Sequence, residues 1–391
     1  MGRVTSERQI PTDAAPLDLR ADPVELARRL IDIPSPSRHE GPIADAIEQA
    51  LRGLGGDLWV RRLGNTVVAR TDRGLSERVV LAGHVDTVPI ADNVPHRAIT
   101  DDAGREAIFG CGAVDMKTGL AVYLHAFAAL HDSEDLKRDL TLVAYEAEEV
   151  DARHNGLRHV AEAHPEWLAG DIALLGEPSE GIVEAGCQGS IRLKIDAAGT
   201  RAHSARAWLG DNAIHRLAPV LAKTADYEPR EAVEVGGCTY REGLNVVGIE
   251  GGVATNVIPD EASLLVNFRY APDREANDAM DHLVEVLGVP HPGYEPGGEA
   301  TGEGLSVRVE DFSGAAAPGL DEPAAASLLH AVGGEFRAKY GWTDVSRFGE
   351  LGIPAVNLGC GDPGFAHKRD EQCPTSEITG LSETLSTYLT S

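Results

Sequence analysis

The feature that most constrains this chain is a change in the period of its apolar residues near Ser190. Before it, Val79–Ala82, Leu140–Glu146 and Ile172–Leu175 contain nearly continuous apolar runs, the signature of strands buried on both faces. After it, Ile191, Leu193 and Ile195 alternate with Arg192, Lys194 and Asp196, as in a strand with one face in water. The first pattern requires cover on both sides of a sheet, whereas the second describes a half-solvated one.

Between the buried strands lie helical segments. Asp22-Pro23-Val24-Glu25 has an N-cap, a proline at the first helical position and an acid in the first turn, with Leu26, Leu30 and Ile31 facing inward. A second helix is expected from about Pro42 to Leu54, ended by Gly55-Gly56, and a third over Lys117–Leu130. Strands alternating with helices imply a mainly parallel α/β sheet. From Ser190 the order becomes strand, helix (Asn212–Ala225), strand (Leu244–Glu250), strand (Ala262–Tyr270), helix (Arg274–Leu287), strand (Leu305–Asp311), which is ferredoxin-like. The α/β style then resumes, with a helix over Glu322–Tyr340, a strand at Ala355–Leu358 and a terminal helix at Glu377–Leu389. The expectation is an α/β domain in two parts, 1–188 and 315–391, interrupted by a smaller α+β domain over 189–314.

At 391 residues two domains are the default, and a net charge of −27 argues against a nucleic-acid partner. No apolar run reaches the roughly 20 residues of a membrane span, and the first twenty residues, expected to be loosely held, lack a secretory core. Five scattered cysteines without a C-x-x-C pair suit a reducing cytoplasm and give no thiolate metal site.

The chemistry sits at strand ends. Gly83 is followed by His84 and, two residues on, Asp86; a ligating imidazole needs an acceptor on its second nitrogen, and this spacing supplies one. Asp115 lies in a glycine-rich loop before a helix, Glu148 and Glu149 follow the strand at Leu140, Glu177 follows Ile172–Gly176, and His367 lies beyond the last strand. Taken singly, each has a bland reading: a turn histidine, a helix-capping aspartate, a solvated acidic pair. Their joint placement at the carboxyl ends of strands, where open α/β sheets bind ligands, points to a metal site. Histidines and carboxylates without cysteine suit Zn²⁺, Co²⁺ or Mn²⁺, and a carboxylate such as Asp115 can bridge two ions.

The successive segments GHVDTVP, GCGAVDMKTG, EAEEV, GEPS and AHKRDE resemble the motifs of the dinuclear zinc M20 peptidase family, in order from about Asp22 to the C-terminus. The resemblance is strongest to its desuccinylase branch. It implies a zinc-hydrolase catalytic domain with an inserted lid through which the protein forms a homodimer. By motif, His84, Asp115 and Glu177 would hold one Zn²⁺ and Asp115, Glu149 and His367 the other. Asp86 would orient His84, and Glu148 would be the general base. His203 in TRAHSA would stabilise the oxyanion in the other subunit's site, and Ser190, Asn256 and Arg269 would bind substrate. Asp115–Met116 would be a cis peptide.

The implied substrate is a small N-acylated amino acid, first N-succinyl-LL-2,6-diaminopimelate. The alternatives are an acetylornithine deacetylase or related N-acyl-amino-acid hydrolase or carboxypeptidase and, in another class, a non-catalytic metal-binding dimer. Two departures stand out. Cys187-Gln188 replaces an arginine pair before Gly189-Ser190, leaving Arg192, Arg201 or Arg206 as replacements. Cys360 replaces a proline before Gly361-Asp362-Pro363 and reads as a small buried thiol.

Overall fold

Strands Arg78–His84 and Asp139–Tyr145 run parallel at the centre of an eight-stranded sheet, with Ile172–Leu175 parallel on the far side of the first. The computed structural model describes residues 16–391 apart from Asp57, so the expectation for the N-terminal segment lies, for residues 1–15, outside the described residues. The sheet runs Trp59–Leu63, Thr66–Arg70, Asp139–Tyr145, Arg78–His84, Ile172–Leu175, Ala355–Asn357, Val183–Ala185, Phe336–Ala338.

Strand alternation explains the layering. Val79, Leu81, Leu140 and Leu142 meet helices Pro23–Ile31, Gly41–Gly53, Lys117–Leu130 and Thr375–Thr390 on one face. Val80, Ala82, Val143 and Tyr145 meet Leu157, Val160, Val345 and Phe348 on the other. Asp22 caps the first helix as expected, accepting from the N–H groups of Val24 and Glu25.

The second pattern also folds as read. Gly243–Gly251, Glu261–Tyr270, Gly189–Ala198, Leu305–Ser313 and Glu299–Gly302 form a separate antiparallel sheet of five strands. Its four main strands stand in the order second, third, first, fourth of the ferredoxin-like arrangement. Helices Ala213–Ala225 and Ala276–Leu287 cover one face, burying Ile191, Leu193, Ile195, Leu217, Phe268 and Leu283. Chain enters and leaves this sheet side by side, since Cys187 and Ala316 exchange both backbone hydrogen bonds.

One expectation fails. The helix read over Glu322–Tyr340 covers only Pro323–Ala331. Gly333 and Gly334, with φ of 83° and 84°, turn the chain, and Phe336–Ala338 becomes an edge strand parallel to Val183–Ala185. Among the described residues no helix is long and apolar enough to cross a membrane.

Candidate metal centre

Two carboxylate oxygens of one residue organise the site. Asp115 Oδ1 lies 3.0 Å from His84 Nε2, and Asp115 Oδ2 lies 3.2 Å from His367 Nε2. Glu177 Oε1 is 4.0 Å from His84 Nε2, and Glu149 Oε2 is 3.0 Å from His367 Nε2. Two groups able to hold an ion result, His84–Asp115–Glu177 and Asp115–Glu149–His367, joined through Asp115.

Four of the side chains are delivered by strand ends, while Asp115 and His367 stand on loops. His84 ends Arg78–His84, Glu148 and Glu149 follow Asp139–Tyr145, and Glu177 follows Ile172–Leu175. Ala147, at φ 58°, turns the chain so that the N–H groups of Glu148 and Glu149 donate to Asp86 Oδ1 and Oδ2, at 3.0 and 3.2 Å. Ser37 Oγ donates to the same carboxylate at 2.7 Å. His84 Nδ1 is 3.0 Å from the backbone oxygen of Asp86 and 3.5 Å from Oδ1, so this residue braces the imidazole mainly through its carbonyl. Asp115–Met116 is a cis peptide.

Beneath these groups the packing is backbone against backbone. A Cβ on Gly119 would stand 2.0 Å from the Gly176 oxygen, and one on Gly359 would stand 2.3 Å from the oxygens of Gly176 and Glu177. Only glycine allows that approach.

The electrostatics are lopsided. Asp86, Asp115, Glu148, Glu149 and Glu177 surround two imidazoles, His84 fully buried and His367 half exposed. Burial, with the charge of Asp115, pushes Glu177 up to about 8, and burial holds Glu148 well above the usual carboxylate range. Burial opposes charge on His84, but the Asp115 and Asp86 carboxylates prevail and hold its pKa well above the ordinary histidine value. Asp115 and Glu149 raise His367 to about 10.

Divalent cations relieve that imbalance, and the donors suit them. Zinc–ligand bonds of about 2.0–2.2 Å give tetrahedral edges of roughly 3.3–3.6 Å, and the donor pairs here stand 3.0 to 4.0 Å apart. Glu177 Oε1 is buried with no hydrogen-bond partner, an oxygen left for a ligand.

A sequence model described as peptidase family M20/M25/M40 matches residues 80–391. The chain belongs to this family. It is 56% identical over 375 residues to the succinyl-diaminopimelate desuccinylase of Corynebacterium glutamicum, covering 95% of this chain and 97% of that one. The fold matches the M20 metallo-carboxypeptidase Sso-CP2 of Sulfolobus solfataricus with a TM-score of 0.74 at 17% identity, over 94% and 98% of the two chains. It also matches the Bacillus subtilis YXEP protein, a dinuclear metal-binding M20 peptidase, with a TM-score of 0.64 at 14% identity, over 95% and 98%.

Ser190, Arg269, His203 and Asn256 fall into two groups. Ser190 and Arg269 are register partners in the five-stranded sheet. His203 and Asn256 meet at a short two-stranded sheet, where the N–H of Ser204 donates to the Asn256 carbonyl at 2.9 Å. Among the described residues neither His203 nor Asn256 bonds to a triad residue. The three arginines weighed as alternative anchors also separate. Arg192 lies 3.9 Å from Asp311, Arg201 pairs with Asp260 at 2.8 Å, and Arg206 is exposed. Two groups escaped the sequence reading. Asp344 is fully buried between Asn155 and Arg347, and Glu371 bonds the glycine-rich loop; Trp-Thr-Asp and the acid four residues after His367 were the available signals.

Proposed function

We propose that this M20 enzyme is a succinyl-diaminopimelate desuccinylase, hydrolysing N-succinyl-LL-2,6-diaminopimelate to succinate and LL-2,6-diaminopimelate. The observation that carries the reading is 56% identity across nearly the whole chain to an enzyme of that name, combined with two joined triads of suitable donors. His84, Asp115 and Glu177 would hold one Zn²⁺, and Asp115, Glu149 and His367 a second.

Bound there, the ions supply acidification of a water molecule and polarisation of the amide carbonyl. The protein does the rest. Glu148, held by the Asp86–N–H bond beside His84, takes the proton of the attacking water and delivers it to the departing amine. Its buried setting raises its proton affinity, while cations at the triads act in the opposite direction. Arg269 is partly buried and has no hydrogen bond or ion pair from its guanidinium among the described residues, so it suits a substrate carboxylate. Ser190 and Asn256 complete the substrate contacts.

The enzyme is read as a cytoplasmic homodimer; its five cysteines are free and buried, as a reducing compartment allows. Gly243–Gly251 is an edge strand of the five-stranded sheet and exposes Val247 and Ile249, the sort of edge a second copy would cover. His203, exposed on the short two-stranded sheet it forms with Val257–Ile258, would reach across that dimer to stabilise the oxyanion in the partner's site.

A second reading has one specific observation behind it. Cys187 Sγ donates to the Thr343 carbonyl and Gln188 Nε2 to the Arg241 carbonyl, so neither replaces the missing arginines as a carboxylate anchor. That favours a smaller acyl group, as in acetylornithine deacetylation. Rates on succinyl-diaminopimelate, acetylornithine and a dipeptide decide between them. Succinyl-diaminopimelate should be turned over at least tenfold more efficiently; acetylornithine in first place would overturn the reading.

A further inference from the structure

Glu371 is 1% exposed, and among the described residues its carboxylate makes no ion pair. It is instead bound by the backbone of the glycine-rich loop. Glu371 Oε2 accepts from the Gly112 N–H at 2.9 Å, and Oε1 accepts from the N–H groups of Val114 and Asp115 at 2.8 and 3.0 Å. Its own carbonyl accepts from the Gly110 N–H at 3.1 Å. Three N–H groups of one short loop thus turn toward a single carboxylate, while the Ala113 N–H between them donates to the Gly110 carbonyl, and Gly112, at φ 81°, gives the loop that shape.

Glu371 is four residues from His367, on the same loop. The residue it grips, Asp115, is the one that faces His367 across 3.2 Å. Two loops more than 250 positions apart in sequence are therefore clamped at the point where their side chains must meet. His367 needs such a clamp. Its φ of 64° is a backbone state that non-glycine residues rarely adopt and that persists where the surroundings over-determine it. Its side chain is also half exposed, so packing does not fix it.

We infer that Glu371 is a positioning residue for the Asp115–Glu149–His367 triad, setting the separation of Asp115 and His367 without touching either metal or substrate. This rests on the dinuclear reading above. Asp115 belongs to both triads, but His84 and Glu177 stand on strand ends of the main sheet and do not depend on the clamp, so losing it weakens the ion at His367 more than the other.

The test is calorimetric titration of the metal-stripped full-length protein with Zn²⁺, with metal content after dialysis, for wild type, E371Q, E371D, H367A and E371Q/H367A. Glutamine keeps the size of Glu371 but offers one acceptor oxygen and an amide donor to three N–H groups. Wild type should bind two ions. E371Q should bind one ion at least tenfold more weakly than wild type and the other with a clearly smaller loss, with E371D in between. E371Q/H367A should bind no more weakly than H367A, because both changes act through the same ligand. In excess Zn²⁺, E371Q should regain kcat. Equal affinities for both ions in E371Q and wild type overturn the proposal, as does equal weakening of both ions, which marks a general structural role. If E371Q does not fold, the E371D titration is read by the same two criteria. A wild type that takes up fewer than two ions overturns the dinuclear reading, and this proposal with it.

Discussion

Asp86 and Glu148 are joined through the backbone: the Glu148 N–H donates to Asp86 Oδ1 at 3.0 Å, while the carbonyl of Asp86 braces His84 Nδ1 at 3.0 Å. One residue thus fixes a ligand candidate on one strand end and the proposed base on the next. Replacing Asp86 by Asn keeps the carbonyl and removes the charge that gathers the Glu148 and Glu149 N–H groups. D86N should lose roughly 10- to 100-fold in kcat with KM changed less than threefold, the scale of lost support around metal ligands. Steady-state kinetics with parallel metal analysis checks this; unchanged kcat would mean that the carbonyl alone suffices.

Glu148→Gln removes the proton acceptor and keeps its shape. The expected loss is about 10²–10⁴-fold in kcat with both metals retained, since the residue is in neither triad. Activity within fivefold of wild type removes Glu148 from the mechanism.

Arg269→Met tests substrate recognition. A lost charge-assisted contact costs about 1.5–3 kcal/mol, roughly 10- to 100-fold in KM for the succinylated substrate, with kcat largely kept. If KM does not move, the substrate carboxylate binds elsewhere.

Ile249 is 61% exposed on the edge strand. Ile249→Glu should convert a dimer to monomers in sedimentation and remove activity with it, because the partner's His203 would no longer arrive. A fully active monomer would refute the role of His203.

Asp139 tests the catalytic sheet through pH. It is buried; Oδ1 accepts from Thr71 Oγ1 and the Arg73 N–H, and Oδ2 from the Leu75 N–H. Burial works against its charge, but these bonds prevail and hold its pKa below the ordinary aspartate value. A folded-state pKa below the unfolded one of about 3.9 gives stability that is present above that pH and disappears as pH falls through the folded value. D139N should therefore lose about 1–3 kcal/mol at pH 7, and the gap to wild type should narrow toward pH 3. Urea unfolding at both pH values measures it; a gap that widens on acidification contradicts the sign.

Much of this protein was legible because burial leaves a periodic trace. Ile172–Leu175 and Lys117–Leu130 fall where the apolar pattern places them, and the change at Ser190 marks a second sheet. The grouping of His84, Glu149 and Glu177 was legible because chemistry gathers at strand ends, and Asp115 and His367, on loops, join them through the motifs that carry the resemblance. The misread helix beyond Ala331 shows the limit: a helical composition cannot overrule Gly333-Gly334 once a neighbouring strand offers its edge. Arg97–Thr100 and Glu106–Phe109 were missed because their partner, Gln372–Pro374, is remote in sequence. Glu371 was missed for a related reason, since its partners are backbone N–H groups and backbone has no sequence signature.

The glycines under the site carry a last consequence. Gly119 and Gly359 leave no room for a methyl group where helix and strand ends touch, so the floor that holds the ligands is set by backbone against backbone. A methyl group at Gly119 or Gly359 would push the helix and the strand ends apart and carry the ligand-bearing loops with them.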